Sequence, residues 1–325
     1  MKAKSLVLFV VISFLFGFNS IGYPQAKEYP NKPIQIIEAH PPGGGIDIFY
    51  RLLADELSKA WKVQVNIINK PAAVGAVAAS EVANADKDGY TFLAILLGQL
   101  AAMSVGNPKS PVHLLRDFDP IEVNTYAAQL FFTRSDSPFK SLEDVVDYAR
   151  KKPGEVLCGT TQLGSNFHLI ALLFNRLAKI NMSVLPVEGS AEVMTNVLGG
   201  HFHLGTTNDV LARPQVAAGK IRVLASDIKS TLPIPVPTFA EKGYPEVDLV
   251  ISMTLLGPKG LPPAVHKTWE NTLETIKKDP KFQASLDKLG FTVSMITGKE
   301  RGDKRLKDEI DKYSRFTPEE LGWKK

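Results

Sequence analysis

The stretch from residue 34 to residue 57 constrains this chain most. An apolar run of strand length, Ile34-Gln35-Ile36-Ile37, leads into Pro41-Pro42-Gly43-Gly44-Gly45-Ile46-Asp47. Ile48, Phe49, Leu52, Leu53 and Leu57 follow at the spacing of a helix core face. Glycines between a strand and a helix let the backbone approach a ligand, and the first N–H groups of the helix then point outward without intrahelical partners. The helix dipole makes such a turn favourable to an anion. It is not a dinucleotide fingerprint, which would need glycine where Ile48 stands, and it lacks the Gly-Lys-Ser/Thr of a phosphate loop. The same residues also read as a plain tight turn, with Asp47, Arg51, Asp55 and Lys59 forming a solvated i,i+4 ladder.

The pattern recurs along the chain. Strand-like runs at 63–68, 90–97, 127–133, 155–159, 221–225 and 249–256 alternate with helical segments, among them an alanine-rich one at 72–85. This alternation predicts an α/β architecture with mainly parallel strands. Ser141 with Asp144 three residues on marks a helix start, and Pro153-Gly154 its end. Gly159-Thr160-Thr161-Gln162-Leu163-Gly164-Ser165-Asn166 repeats the strand–turn–helix logic, and Thr206-Thr207-Asn208-Asp209 ends another strand. Capping and turn chemistry explain both segments as well as ligand binding does. Pro233 to Pro237 reads as a stiff connection.

Residues 1–22 read as a cleaved export signal: Lys2 and Lys4 are followed by an uncharged apolar core from Leu6 to Phe18, and Tyr23 is the expected mature start. Removing Lys2 and Lys4 takes the formal charge from +4 to about +2, which gives nucleic-acid binding no electrostatic support. The single cysteine, Cys158, cannot form an internal disulfide and reads as a small buried hydrophobe. His201 and His203 read as a same-face pair on a strand, with no further ligand to complete a metal site. Ser165 and His168 make a conceivable nucleophile pair, but no elbow motif or third orienting group accompanies them. No catalytic residue, cofactor or metal site is therefore expected.

The order of motifs resembles the Bug-type periplasmic solute-binding receptors of tripartite tricarboxylate transporters. The carrying segments are Tyr29-Pro30-Asn31-Lys32-Pro33-Ile34, the 41–47 turn, Asp88-Gly89-Tyr90-Thr91, Gly164-Ser165-Asn166-Phe167-His168-Leu169, Gly189-Ser190-Ala191, Leu198-Gly199-Gly200, Ala218 to Arg222, and Val236 to Glu241. The resemblance implies α/β, two Rossmann-like lobes joined by two crossover strands, the type II periplasmic-binding-protein architecture. It implies lobe 1 from 23–126 and 250–325, and lobe 2 from 127–249. It also implies a monomer that grips a small organic carboxylate between the lobes and delivers it to membrane permease subunits. A periplasmic solute sensor with a signalling partner needs the same cleft.

Carried over by position, the resemblance makes Gly43, Gly44, Gly45, Ile46 and Asp47 the first clamp. Thr160, Thr161, Gly164, Ser165 and Asn166 become the second, with His40, Thr207 and Asn208 bordering the cleft. Several positions depart from the family pattern. His40 replaces an aromatic residue, Ile46 a threonine, Asn166 and Phe167 serines, Thr207 a frequent aspartate and Glu188 a lysine. Ile95, Leu96 and Leu97 replace a small polar segment, which predicts a more apolar cleft wall and a monocarboxylate or extended apolar acid over citrate.

Overall fold

The computed structural model describes residues 29–323, apart from Gly44, Pro108, Gly290, Thr292 and Val293. The expected export signal and the clamp residue Gly44 therefore lie outside the described residues. The chain begins with β1 (Ile34–Glu38), α1 (Gly45–Trp61), β2 (Val65–Asn69), a 3-10 turn (Ala72–Gly75), α2 (Ala76–Ala83), β3 (Thr91–Leu96), α3 (Leu97–Gly106), α4 (Leu114–Asp117) and β4 (Phe118–Ala127). It then runs through β5 (Gln129–Arg134), α5 (Leu142–Lys151), β6 (Leu157–Thr161), α6 (Asn166–Ala178), β7 (Ser183–Val187), α7 (Ser190–Leu198), β8 (Leu204–Asn208), α8 (Asp209–Ala217) and β9 (Ile221–Ser226). It returns through β10 (Ile251–Pro258), α9 (Pro263–Ile276), α10 (Pro280–Leu289), β11 (Ser294–Thr297) and α11 (Lys299–Tyr313).

Two sheets result, and two crossings link them. The first has the order β11-β4-β10-β3-β1-β2 and the second β7-β6-β8-β5-β9. The expected parallel pairing holds for β2-β1-β3 and β7-β6-β8, but β10 runs antiparallel to β3 and β4, and β5 antiparallel to β8 and β9. The cause is topological. β5 and β10 each enter a sheet from the other lobe, so they run against the strands that leave toward it. Gln129 ties the crossings together: its backbone N–H donates to Asp227 Oδ1 at 2.8 Å and its amide to Leu249 O.

Side-chain alternation along the strands places cores on both faces of each sheet. On one face of the first sheet, Trp269 of α9 is fully buried, with Trp61 and Phe92 edge-on at 4.7 and 4.6 Å. In the second sheet Phe131, Phe174 and Phe239 interlock, with ring centroids 5.1–5.5 Å apart. The Ser141 capping box forms as expected, with Asp144 N–H donating to Ser141 Oγ and Ser141 N–H to Asp144 Oδ2. Three elements differ from the sequence expectation. Gly75, at φ +80°, breaks the 72–85 helix, because a left-handed residue cannot continue it, and a side chain there would also crowd Ala39, Ile95 and Gln99. The 90–97 strand stops at Leu96, and α3 starts at Leu97. His201 and His203 lie in the turn before β8 rather than on a strand, and His203 Nδ1 accepts from the Leu157 N–H.

Candidate functional site at the seam between the lobes

The strands that leave each sheet toward the other lobe end in the turns that open α1, α3, α6 and α8, the usual ligand side of an open α/β sheet. In the first lobe the loop after β1 is held by a hydrogen-bond web centred on Asn69. Asn69 Nδ2 donates to Glu38 Oε2 at 2.6 Å, to His40 O at 3.1 Å and to Asp47 Oδ1 at 2.8 Å. Asp47 also accepts from the Gly43 N–H at 2.9 Å and from Arg51 through Nε and Nη2 at 2.8 and 2.9 Å. Burial pushes the Asp47 carboxyl up, but Arg51, the Gly43 N–H and Asn69 outweigh it and hold the group at about 2.

The Asp47 side chain and the Gly43 amide are thus spent on shaping the loop. Gly43 sits at φ +82°, a left-handed conformation that side chains rarely adopt. Of the expected ladder, Asp47–Arg51 forms, whereas Lys59 pairs with Glu56 rather than with Asp55. Ile46 is buried in the first-lobe core, and Gly45 opens α1, whose first-turn amides carry the anion-favouring end of the dipole. His40 is fixed at both ring nitrogens, Nδ1 at 2.8 Å from Glu38 Oε1 and Nε2 at 2.9 Å from Gln99 Oε1.

In the second lobe Thr160 and Thr161 point to opposite faces of β6, as strand alternation requires. Thr161 Oγ1 and Ser165 Oγ are 2.9 Å apart, and Ser165 Oγ caps α6 by accepting the His168 N–H at 3.2 Å. The His168 ring does not engage that hydroxyl. Its Nδ1 accepts from the Gly164 N–H at 3.3 Å, and burial lowers its affinity for a second proton. Asn208 caps α8 through the Leu211 N–H at 2.9 Å. Thr160 Oγ1 and Thr207 Oγ1 are buried without a hydrogen-bond partner. Asp209 accepts from the Thr231 N–H at 3.0 Å and from Thr231 Oγ1 at 2.8 Å.

Several contacts across the seam escape the sequence reading, although it singles out Gly164, Asn166 and Phe167. Tyr313 of α11 is fully buried and donates from its hydroxyl to Asn166 Oδ1 at 2.8 Å, in the first turn of α6. Gly98 lies so close that an added Cβ would fall 2.0 Å from Tyr313 Oη. The segment after α11 then crosses onto the second lobe. Arg176 donates to Arg315 O at 3.1 Å and pairs with Glu320 at 2.5 Å, and a Cβ on Gly164 would meet Leu321 O at 2.3 Å. From the second lobe, Phe167 and Val210 pack against the first-lobe cluster that holds Ile46, Leu96 and Met253. The expected apolar wall is therefore smaller than predicted. Ile95 and Leu97 are fully buried in the core on the other side of the sheet, and Leu96 alone of the three joins this cluster. Two surface depressions, about 170 and 290 Å³, lie away from the seam, beside Tyr244 and beside Met295.

Residues 49–319 match the model of the tripartite tricarboxylate transporter family receptor. The chain belongs to this family. Protein BugT of Bordetella pertussis is 31% identical over 264 residues, covering 79% of this receptor and 80% of that protein. A solved periplasmic transporter, 29% identical, superposes with a TM-score of 0.74 over 88% of this chain and 96% of its own. A solved R. palustris protein with adipate is 26% identical, with a TM-score of 0.75 over 91% and 99% of the two chains. The receptor therefore has the two-lobed α/β architecture of periplasmic binding proteins. No helix among its described residues is long and apolar enough to cross a membrane.

Proposed function

We propose that this receptor works in the periplasm as a monomer, without catalysis, cofactor or metal, capturing a small carboxylate-bearing solute between lobes 23–126/250–325 and 127–249 and delivering it to membrane permease subunits. The observation that carries this reading is the convergence of helix starts from both lobes on one seam. The first turns of α3 and α6 touch through Gly98 and Asn166, and Phe167 and Val210, in the first turns of α6 and α8, reach the cluster beside α1. Amides at such starts suit a carboxylate. In this reading His40, Gly43, Gly44, Gly45, Ile46 and Asp47 shape or supply one jaw. Thr160, Thr161, Gly164, Ser165, Asn166, Thr207 and Asn208 shape or supply the other. The adipate held by the R. palustris relative supports the solute class.

Absence of catalysis is supported by the Ser165 hydroxyl, which is committed to Thr161 and to the α6 cap while the His168 ring turns to Gly164. Delivery is supported by apolar side chains exposed beside the seam on both lobes, Ile48 at 38% and Leu163 and Leu211 at 50% and 49%. The test is calorimetric titration of protein refolded free of bound solute with short carboxylic acids, with small-angle scattering on the same samples. Saturable binding of an acid with contraction of the particle is expected, since receptors of this type close around ligand. Failure of every acid to bind refutes the proposal.

A further inference from the structure

We infer that His40 makes solute capture proton-linked. As a carboxylate settles on the first jaw, the Glu38–His40 pair takes up a proton, so binding is tighter in mild acid than in mild base. This linkage rests on the carboxylate-receptor reading and adds a control by pH to it. Histidine is the side chain whose charge changes most readily near neutral pH. His40 stands in the loop after β1 with both ring nitrogens against side-chain oxygens, Glu38 Oε1 at 2.8 Å and Gln99 Oε1 of α3 at 2.9 Å. Glu38 is fully buried, and an ionised carboxylate only accepts, so Nδ1 donates to it beside the His40 backbone N–H at 3.0 Å. The charged ring then donates from Nε2 to the Gln99 oxygen. The neutral ring instead accepts there from the Gln99 amide after a half-turn of that group. Both protonation states are thus hydrogen-bonded at the same atomic positions, and the proton can come and go without rebuilding the loop.

The charges around this jaw favour the protonated state once an anion arrives. Two buried acids face the loop, Glu38 of β1 and Asp47 of α1, and Arg51 is engaged by Asp47 through two contacts and by Asn69 through a third. Lys70, after Asn69 at the end of β2, turns its ammonium to Glu81. Tyr50 of α1 faces Glu38 and is kept neutral by burial. Glu122 of β4 faces Tyr50 and holds its proton to about 8 for the same reason. Helix α3 and the 3-10 turn before α2 bring no ionisable side chain. With a neutral His40, one of the two acids therefore lacks a counter-charge, and an entering carboxylate adds to that excess. A charged His40 removes the excess, and its side chain is only 20% exposed, so salt screens it less than an open surface charge. Proton and anion then strengthen each other's binding reciprocally.

Calorimetric titration of the full mature receptor with adipate at pH 7, in two buffers of different ionisation enthalpy, reads the protons taken up directly. Carboxylic acids are ionised at that pH, so an uptake belongs to the protein. A net uptake is expected, with Kd rising at least threefold from pH 6.5 to pH 8. His40→Phe, which places an aromatic ring there as in the family pattern, should bind adipate with a flat profile and lose that uptake. If His40→Phe does not fold, His40→Gln, which stays polar and neutral, carries the same expectation. Binding without proton uptake, or an uptake that a folded His40 variant keeps, overturns the inference and leaves the receptor reading standing. If adipate and every other short acid fail to bind, both fall.

Discussion

Replacing Glu122 with glutamine should stabilise this receptor at neutral pH, and the gain should vanish in acid. Glu122 lies on β4, is 1% exposed, and neither of its carboxyl oxygens has a hydrogen-bond partner. Asn124, on the same face of the strand, and Tyr50 of α1 are likewise buried with unpaired polar atoms. Burial alone pushes the Glu122 carboxyl from its ordinary 4.5 up to about 8. The unfolded chain releases this proton near pH 4.5 and the folded chain holds it to about pH 8. The stability contribution is therefore full below 4.5 and is lost as pH rises through 8.

Each pH unit in that window costs roughly 1.4 kcal/mol, which amounts to about 3 kcal/mol at pH 7 and about 5 kcal/mol above pH 8. Glu122→Gln keeps the shape and stays neutral throughout. Urea unfolding of both proteins from pH 4.5 to 9 should give curves that coincide at the acid end and diverge by those amounts. Taking the difference between the two proteins cancels other titrating groups, including Asp227, which burial raises to about 7 against the hydrogen bonds it accepts from Gln129 and Ile228. A gap that does not change with pH, or a glutamine variant no more stable than the parent at pH 7, would refute the reasoning.

Asp47→Ala should cost roughly 2 kcal/mol in urea unfolding near neutrality, because it leaves the Gly43 amide and Asn69 short of an acceptor. The stabilisation by Asp47 is present above its ordinary 3.8 and lost as pH falls through about 2, so parent and variant should converge in strong acid. Gly98→Ala should cost about 1–3 kcal/mol by overpacking against Tyr313, and an unchanged denaturation midpoint would show that the contact gives way freely. Cys158 is fully buried and its thiol is pushed up to about 12, so a disulfide dye at pH 8 should label it at the rate of protein opening; immediate full labelling would contradict the burial.

What the sequence discloses here follows the range of the forces involved. The Ser141–Asp144 cap, the glycine turn before α1 and the burial of Cys158 depend on a few adjacent residues, and local chemistry predicts them. Helix α3 escapes because Leu97 to Met103 is apolar on nearly every side, and such a run has no period to distinguish a buried helix from a strand. Asn69 carries no local sign of its role, since its partners Glu38, His40 and Asp47 are 22 to 31 residues away. Phe167 is legible as the residue that stands where the family carries a serine beside the second clamp, whereas Val210 has only the weaker signal of a bulky apolar side chain two residues past a helix cap. Such a residue cannot be covered by its own helix.

The described segment after α11 ties a first-lobe helix to the second lobe. Its last described residues lie over α6, with Gly322 beside Leu163, whereas Tyr29 packs on Gly89 and Trp269 at the opposite end of the first sheet. If the lobes close around a solute as proposed, this bonded segment shifts against one of them, and an environment-sensitive dye on exposed Glu319 would report that motion optically.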